Sequence, residues 1–261
     1  MRTMNSIAIA FLLTTVACDQ PAPLTSNNTM AEKPVAAPAE LHADWDQLLK
    51  AHVRDGLVDY KGFVKDKERL HAYCELLSKN APSDKASKNS KLAYYINVYN
   101  AQTVKLIVDN YPVESIRDLH PTIKIPGVNS VWHITKFMVG SKEMSLNDVE
   151  HEVLRKMDEP RIHFAINCAS MSCPPLRNEA YTAEKIDAQL TDQAKTFINT
   201  ARYNKITKDH VEISNIFNWF EGDFKKNGTL IEYLNKYSTV QIAADAKVDH
   251  LDYDWSLNDV K

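Results

Sequence analysis

Residues 161–177, RIHFAINCASMSCPPLR, bring His163, Asn167, Cys168, Ser170 and Cys173 close together in the chain. A cysteine activated by a nearby base is the nucleophile of acyl-transfer chemistry. Cys168 is therefore the candidate nucleophile, His163 or His151 the candidate base, and Glu150 a further titratable group beside His151. Asn97, Asn100, Asn167 and Ser170 are candidate substrate-binding groups, with Asn97 or loop N–H groups available to an oxyanion. Three fates of the thiols stay open. In an oxidising compartment Cys168 and Cys173 could close a disulfide if their Cα atoms come within about 7 Å. Alternatively one is a reactive or redox-active thiol, or both are unpaired and buried.

Metal and nucleotide chemistry lack their signatures. His151-Glu152-Val153-Leu154-Arg155 has Arg where H-E-x-x-H needs its second His. A zinc site on His163, Cys168 and Cys173 would need ligands that strand parity sends apart. With 6 Gly and neither G-x-G-x-x-G nor G-K-[ST], phosphate-cradling loops are missing too. No cofactor and no metal is expected.

The elements that must position these groups follow from periodicity. Ile162, Phe164 and Ile166 alternate with His163, Ala165 and Asn167, which predicts a strand with one polar side. Parity then turns Cys168 away from His163 unless a bulge intervenes. Lys91 to Asn110 contains no Gly or Pro and is apolar nearly all round, the pattern of a buried helix. Asn97 and Asn100, three apart, project from one side of it and must find partners, either substrate or the backbone of a neighbouring loop. Val131 to Met144 reads as a hairpin turning at Gly140-Ser141, and Ser145 to Asp148 as the capped start of a helix carrying Glu150, His151 and Glu152. Those three cannot all face one way on an α-helix.

Trp45, Leu48, Leu49 and Val53 give a helix near the start of the domain, and Cys74 is a small buried hydrophobe inside a second. Thr182 is expected to cap a helix running to about Asn199. Val211 to Ile213 is a short strand, Ile216 to Phe224 and Leu230 to Tyr237 are helices, and Leu251, Tyr253 and Trp255 alternate as a last edge strand. Trp219, Phe220 and Phe224 read as core.

The stretches LAYYINVYNAQTVKLIVDNYP, SLNDVEHEVLR, RIHFAINCASMSCPPLRNEAYTAEK and ISNIFNWFEGDF resemble, in order, those of the family called domain of unknown function 547. The resemblance extends over most of residues 45 to 237. It implies a compact mixed domain, often exported in bacteria, with Asn97, Asn100, Glu150, His151, His163, Asn167, Cys168, Ser170 and Cys173 on motif positions, and it implies no reaction. A distant similarity to papain-like and transglutaminase-like folds is also expected. Those enzymes carry their Cys at the start of the central helix, where this chain has none. The fold class is α+β: one helix-rich domain whose central buried helix packs on a small, mainly antiparallel sheet.

The chain has 261 residues, 44% hydrophobic and 25% charged, with a formal net charge of -3. This excludes a disordered chain and a polytopic membrane protein, and offers no basic surplus for nucleic acid, so no nucleic-acid partner is expected. Arg2 and the apolar run Ile7 to Ala17 read as a secretory signal, too short to span a bilayer. Thr15-Val16-Ala17-Cys18 resembles a bacterial lipobox, with Cys18 as the lipidated residue. The expected organisation is a lipoprotein signal peptide over 1–17, a flexible Pro-rich tether over 18–40 and the domain over 41–261. The protein is then expected in the bacterial cell envelope, anchored through lipid on Cys18 to the inner or outer membrane and facing the periplasm in a Gram-negative cell. There it would act on an envelope substrate as a thiol-dependent hydrolase or acyl transferase. The alternative is a noncatalytic tethered module that binds an envelope ligand or partner through the same cleft.

Overall fold

The computed structural model describes residues 38–123, 125 and 129–260. The expected signal peptide, Cys18 and the tether up to residue 37 lie outside them. Among the described residues the elements are mixed, as an α+β domain requires, with many helical segments and three small sheets. No helix among them is long and apolar enough to cross a membrane.

The centre is the 23-residue helix Lys88–Asn110, started by Ser87, whose side chain accepts the Ser90 N–H. It is buried on most sides because Leu92, Ile96, Tyr99, Ala101, Val104 and Ile107 point in several directions into one apolar cluster. Trp45, Leu48 and Leu49 of the helix Ala43–His52 join that cluster, as does Cys74 of Lys67–Lys79. A second cluster is aromatic, formed by Phe164, Phe197, Phe217, Phe224 and Tyr233.

Of the hairpin expected over Val131 to Met144, the second part is present as Lys136–Val139 paired antiparallel with Lys142–Ser145, turning through Gly140 at φ 60°, whereas Val131–Ile134 is a short helix. The last sheet has His210–Ser214 in the middle, antiparallel to Lys205–Ile206 and parallel to Lys247–Leu251. The edge strand therefore ends at Leu251, and Tyr253 and Trp255 follow it. This C-terminal segment is held by Ser115 Oγ donating to the Trp255 carbonyl, by Tyr60 Oη donating to Asn258 Oδ1, and by Tyr111 Oη donating to Asp259 Oδ2.

Three local expectations are corrected. Residues Pro160–Phe164 form a 3-10 helix, where a strand was expected. Pro160 fixes the first helical φ and the Glu159 side chain accepts the Arg161 N–H, which caps the turn. The alternation has another cause: Ile162 enters the first cluster and Phe164 the second, so the segment is apolar on two sides. Thr182 is not a cap, because the helix starts at Ile186 and runs to Asn199. Trp219 is 47% exposed, unlike Phe224, which is core.

Candidate functional site

A cavity of ≈ 240 Å³ opens between the two clusters. Glu150, His151, His163, Cys168 and Cys173 all line it, so groups from separate stretches of sequence share one pocket. The parity argument that separated His163 from Cys168 fails with the strand it rested on. The chain also turns directly after the cysteine, where Ala169 sits at φ 60°, a backbone region uncommon for a residue with a side chain. Asn167 Oδ1 holds the strained residue by accepting its N–H at 2.9 Å.

Glu150 and His151 reach the pocket together because Asp148–Leu154 is a π-helix, whose wider turn re-aims neighbouring side chains. Ser145 and Asp148 cap this segment reciprocally: Ser145 N donates to Asp148 Oδ2 and Asp148 N to Ser145 Oγ. Glu152 turns to solvent and pairs with Lys156.

Arg155, which disqualified the zinc motif, organises the site. Its Nη1 donates to His151 Nδ1 at 2.9 Å, while Nε and Nη2 bind the two oxygens of Asp223 at 2.6 and 2.9 Å. His163 Nε2 donates to Asp223 Oδ2 at 2.8 Å. That bond fixes the neutral tautomer and leaves Nδ1 as an acceptor with no partner among the described residues. Phe220 stacks on the imidazole at 3.9 Å between ring centroids. Burial and then the Asp223 and Arg155 contacts act on His163, with a net downward shift that keeps the ring neutral near pH 7. Asp223 is held far below the usual carboxylate range, first by His163 and then by Arg155.

Cys168 is partly exposed and Cys173 buried, and both are free thiols with Sγ atoms 3.0 Å apart. The hydrogen bond from Cys173 lowers the Cys168 pKa below that of an ordinary thiol, against burial, with help from Ser170 (3.4 Å) and Tyr253 (3.3 Å). Burial drives Cys173 the other way, so the pair's proton resides on Cys173. Glu150 is pushed up to about 7 by burial and by the negative charge of Cys168. Tyr99 Oη, 3.5 Å from Glu150 Oε2, donates to it. By the same coupling, Glu150→Gln is expected to lower the pH midpoint of Cys168 alkylation by on the order of one unit, because a neighbouring anion opposes a second. Iodoacetamide rates followed against pH read this directly; an unchanged or raised midpoint would disprove the coupling.

The asparagines take structural positions. Asn97 Nδ2 donates to the Tyr181 carbonyl and its Oδ1 accepts the Tyr181 N–H, at 2.8 and 3.1 Å. Asn100 does the same for the Ala165 carbonyl and the Asn167 N–H, at 2.9 and 2.8 Å. Asn167 Nδ2 reaches the Pro174 carbonyl at 2.8 Å, tying together the two ends of the cysteine loop. Ser170 is buried, with its hydroxyl bonded to Tyr253. None of the four lines the pocket. The N–H groups of Cys168, Ala169, Met171, Ser172 and Cys173 already have acceptors, and the Tyr253 hydroxyl lies 3.3 Å from Cys168 Sγ on the pocket wall.

The rim is an aromatic wall absent from the sequence expectations. Trp219 stacks on Trp255 (5.8 Å between centroids, 23° between planes), and Trp132 and Tyr253 extend the surface. No Lys or Arg lines the pocket. Among the described residues no group of three or more His, Cys, Asp and Glu is placed to hold a metal.

Residues 83–198 match the model of the family described as "Protein of unknown function, DUF547". That segment carries the central helix, Glu150, His151, His163, Cys168 and Cys173, and supports the family expected from the motifs. Asp223, Tyr253 and Trp255, like the ISNIFNWFEGDF stretch, lie beyond the match. No curated protein and no solved structure matches the chain.

Proposed function

We propose that the chain is a thiol-dependent acyl-transfer enzyme, a hydrolase or acyl transferase, with Cys168 as nucleophile. One observation carries the reading: a partly exposed, acidified thiol shares a pocket with a carboxyl titrating at about 7 and an imidazole oriented by Asp223. Groups with pKa values near the working pH are the efficient proton carriers. In this reading the Cys168 thiolate attacks the acyl carbon of R–CO–X, and the Tyr253 hydroxyl donates to the developing oxyanion. Glu150 takes the thiol proton and returns it to the leaving group as HX. His163 Nδ1 then accepts a proton from water or an acceptor alcohol or amine, which attacks the thioester and releases Cys168.

The aromatic wall and the absence of a cationic side chain favour an uncharged substrate with a flat apolar acyl group. A neutral aryl thioester is the test substrate. Peptide mapping of the reduced protein during turnover should find the acyl group on the peptide containing Cys168. Aromatic ligands quenching the pocket tryptophans with no acyl adduct at any pH would instead leave the noncatalytic binding module.

The same proposal takes the protein to the cell envelope, lipid-anchored through Cys18 and periplasm-facing in a Gram-negative cell, with a substrate or ligand of the envelope and no nucleic acid as partner. The lipobox-like TVAC stretch and the Pro-rich run after it support this. A labelled fatty acid fed to expressing bacteria should enter the wild-type chain and not Cys18→Ser.

A further inference from the structure

Cys173 forms no bond to substrate in acyl transfer, yet it lies against the nucleophile and acidifies it. Its sulfur lies 3.0 Å from Cys168 Sγ, and closing the 2.03–2.05 Å bond would need a shift of about 1 Å. The loop between them is held from outside. Met171 N–H and Ser172 N–H donate to the Ser256 and Asp254 carbonyls, and Asn167 clamps the loop ends through Pro174. The two thiols are also unequal in access: Cys168 is partly exposed at the pocket, whereas Cys173 is 4% exposed behind it.

We infer that Cys168 and Cys173 form an exchange-active dithiol, in which Cys168 attacks small uncharged disulfides entering the pocket and Cys173 resolves the mixed disulfide. This goes beyond the acyl-transfer reading and does not depend on it. In the first step the Cys168 thiolate attacks one sulfur of R–S–S–R. A Cys168–S–S–R bond forms, the R–S–S–R bond breaks, and RS⁻ leaves with the electron pair. In the second step Cys173 loses its proton and attacks Cys168 Sγ, forming the Cys168–Cys173 disulfide and expelling the second RS⁻. The protons of the two cysteines complete two RSH. The protein is oxidised by two electrons, the small disulfide is reduced by two, and an external dithiol reverses the reaction. The direction of attack agrees with the acidity difference, since the more acidic and more accessible thiol is the one that attacks.

The test uses 2-hydroxyethyl disulfide on the full chain, with products assigned by peptide mapping so that Cys18 and Cys74 are followed separately. Wild type should pass through an adduct on Cys168 to a Cys168–Cys173 disulfide, releasing both thiols from each reagent molecule consumed at this site. Cys173→Ser should stall at the Cys168 adduct, and Cys168→Ser should react at this site at least about tenfold more slowly, since a buried thiol is inert. Thermal melts check that both variants fold. Should either fail to fold, the wild-type time course decides alone: a stable Cys168 adduct with no internal disulfide overturns the proposal. Equal reaction of Cys168→Ser and wild type would overturn it as well. Thioester turnover by the reduced protein is measured separately, so loss of one activity leaves the other readable.

Discussion

Asp223→Asn is expected to lower steady-state thioester turnover by about 10²- to 10⁴-fold while acylation of Cys168 stays near the wild-type rate. The range is that of orienting aspartates in nucleophile–His–Asp arrangements, where losing the carboxylate admits the wrong imidazole tautomer. Asp223 accepts from His163 Nε2 and from two nitrogens of Arg155, so it has no room for an amide donor. An Asn that turns its NH₂ to His163 moves the ring proton to Nδ1 and removes the base; one that turns its oxygen to His163 sets donor against donor at Arg155. Since Asp223 does not line the cysteine pocket, it is a positioning residue, and the acyl-enzyme should accumulate as a burst. A merely structural role would slow the burst and the steady state together, and that outcome would remove His163 from deacylation.

The same variant has a pH signature in stability. The folded-state pKa of Asp223 is depressed, so its contribution is present above the ordinary carboxylate value of roughly 3.9 and is lost as pH falls through that value and below. Asp223 and Arg155 are 26% and 32% exposed, so solvent screening holds the contribution to about 1–2 kcal/mol. Melts should therefore separate the variant from wild type at pH 7 and converge in acid. The gap should begin to narrow as pH falls below about 4 and keep narrowing toward the depressed folded-state value; a gap that does not narrow at all between about pH 5 and pH 2 would assign the loss to packing.

The elements legible in the sequence are those whose signals are local. The Lys88–Asn110 helix has unbroken periodicity and a Ser cap, and the hairpin before Ser145 has a glycine turn between short strands. Glu150, His151, His163 and Cys168 were legible as chemistry, and the pocket brings them together. Their supports were not, because they come from distant sequence: Asp223 reaches His163 across 60 positions and Tyr253 reaches Cys168 across 85. Ile162, Phe164 and Ile166 gave a period of two for a reason unrelated to pleating, since a short 3-10 turn wedged between two apolar clusters must also be apolar on two sides. Trp219 and Phe220 had the spacing of core residues. Composition alone does not distinguish an aromatic that fills a core from one that walls a cavity beside it.

Asn100→Ala is expected to destabilise the fold by about 2–6 kcal/mol, because it leaves two buried backbone groups without partners at roughly 1–3 kcal/mol each. Asn100 is 2% exposed, and its amide is the hinge between the central helix and the segment carrying His163 and Cys168. Its Nδ2 satisfies the Ala165 carbonyl where the 3-10 turn ends, and its Oδ1 satisfies Asn167 N–H one residue before the cysteine. Asn97, Ala165 and Asn167 around it are buried as well, so the two groups are shielded from solvent that could replace both bonds. The effect should extend from stability to function: without the amide, Asn167 loses its anchor, and with it the clamp on Pro174 and the hold on Ala169 N–H. Denaturant unfolding measures the first part, and the alkylation rate of Cys168 under native conditions measures the second. Asn100→Asp separates geometry from charge, because it keeps the acceptor for Asn167 N–H but faces the Ala165 carbonyl with an oxygen. It should be at least as destabilised as the alanine variant near pH 7 and recover in acid, where a protonated carboxyl donates to that carbonyl. Equal stability of Asn100→Ala and wild type would mean that the cysteine loop is held by the C-terminal segment and not by the helix.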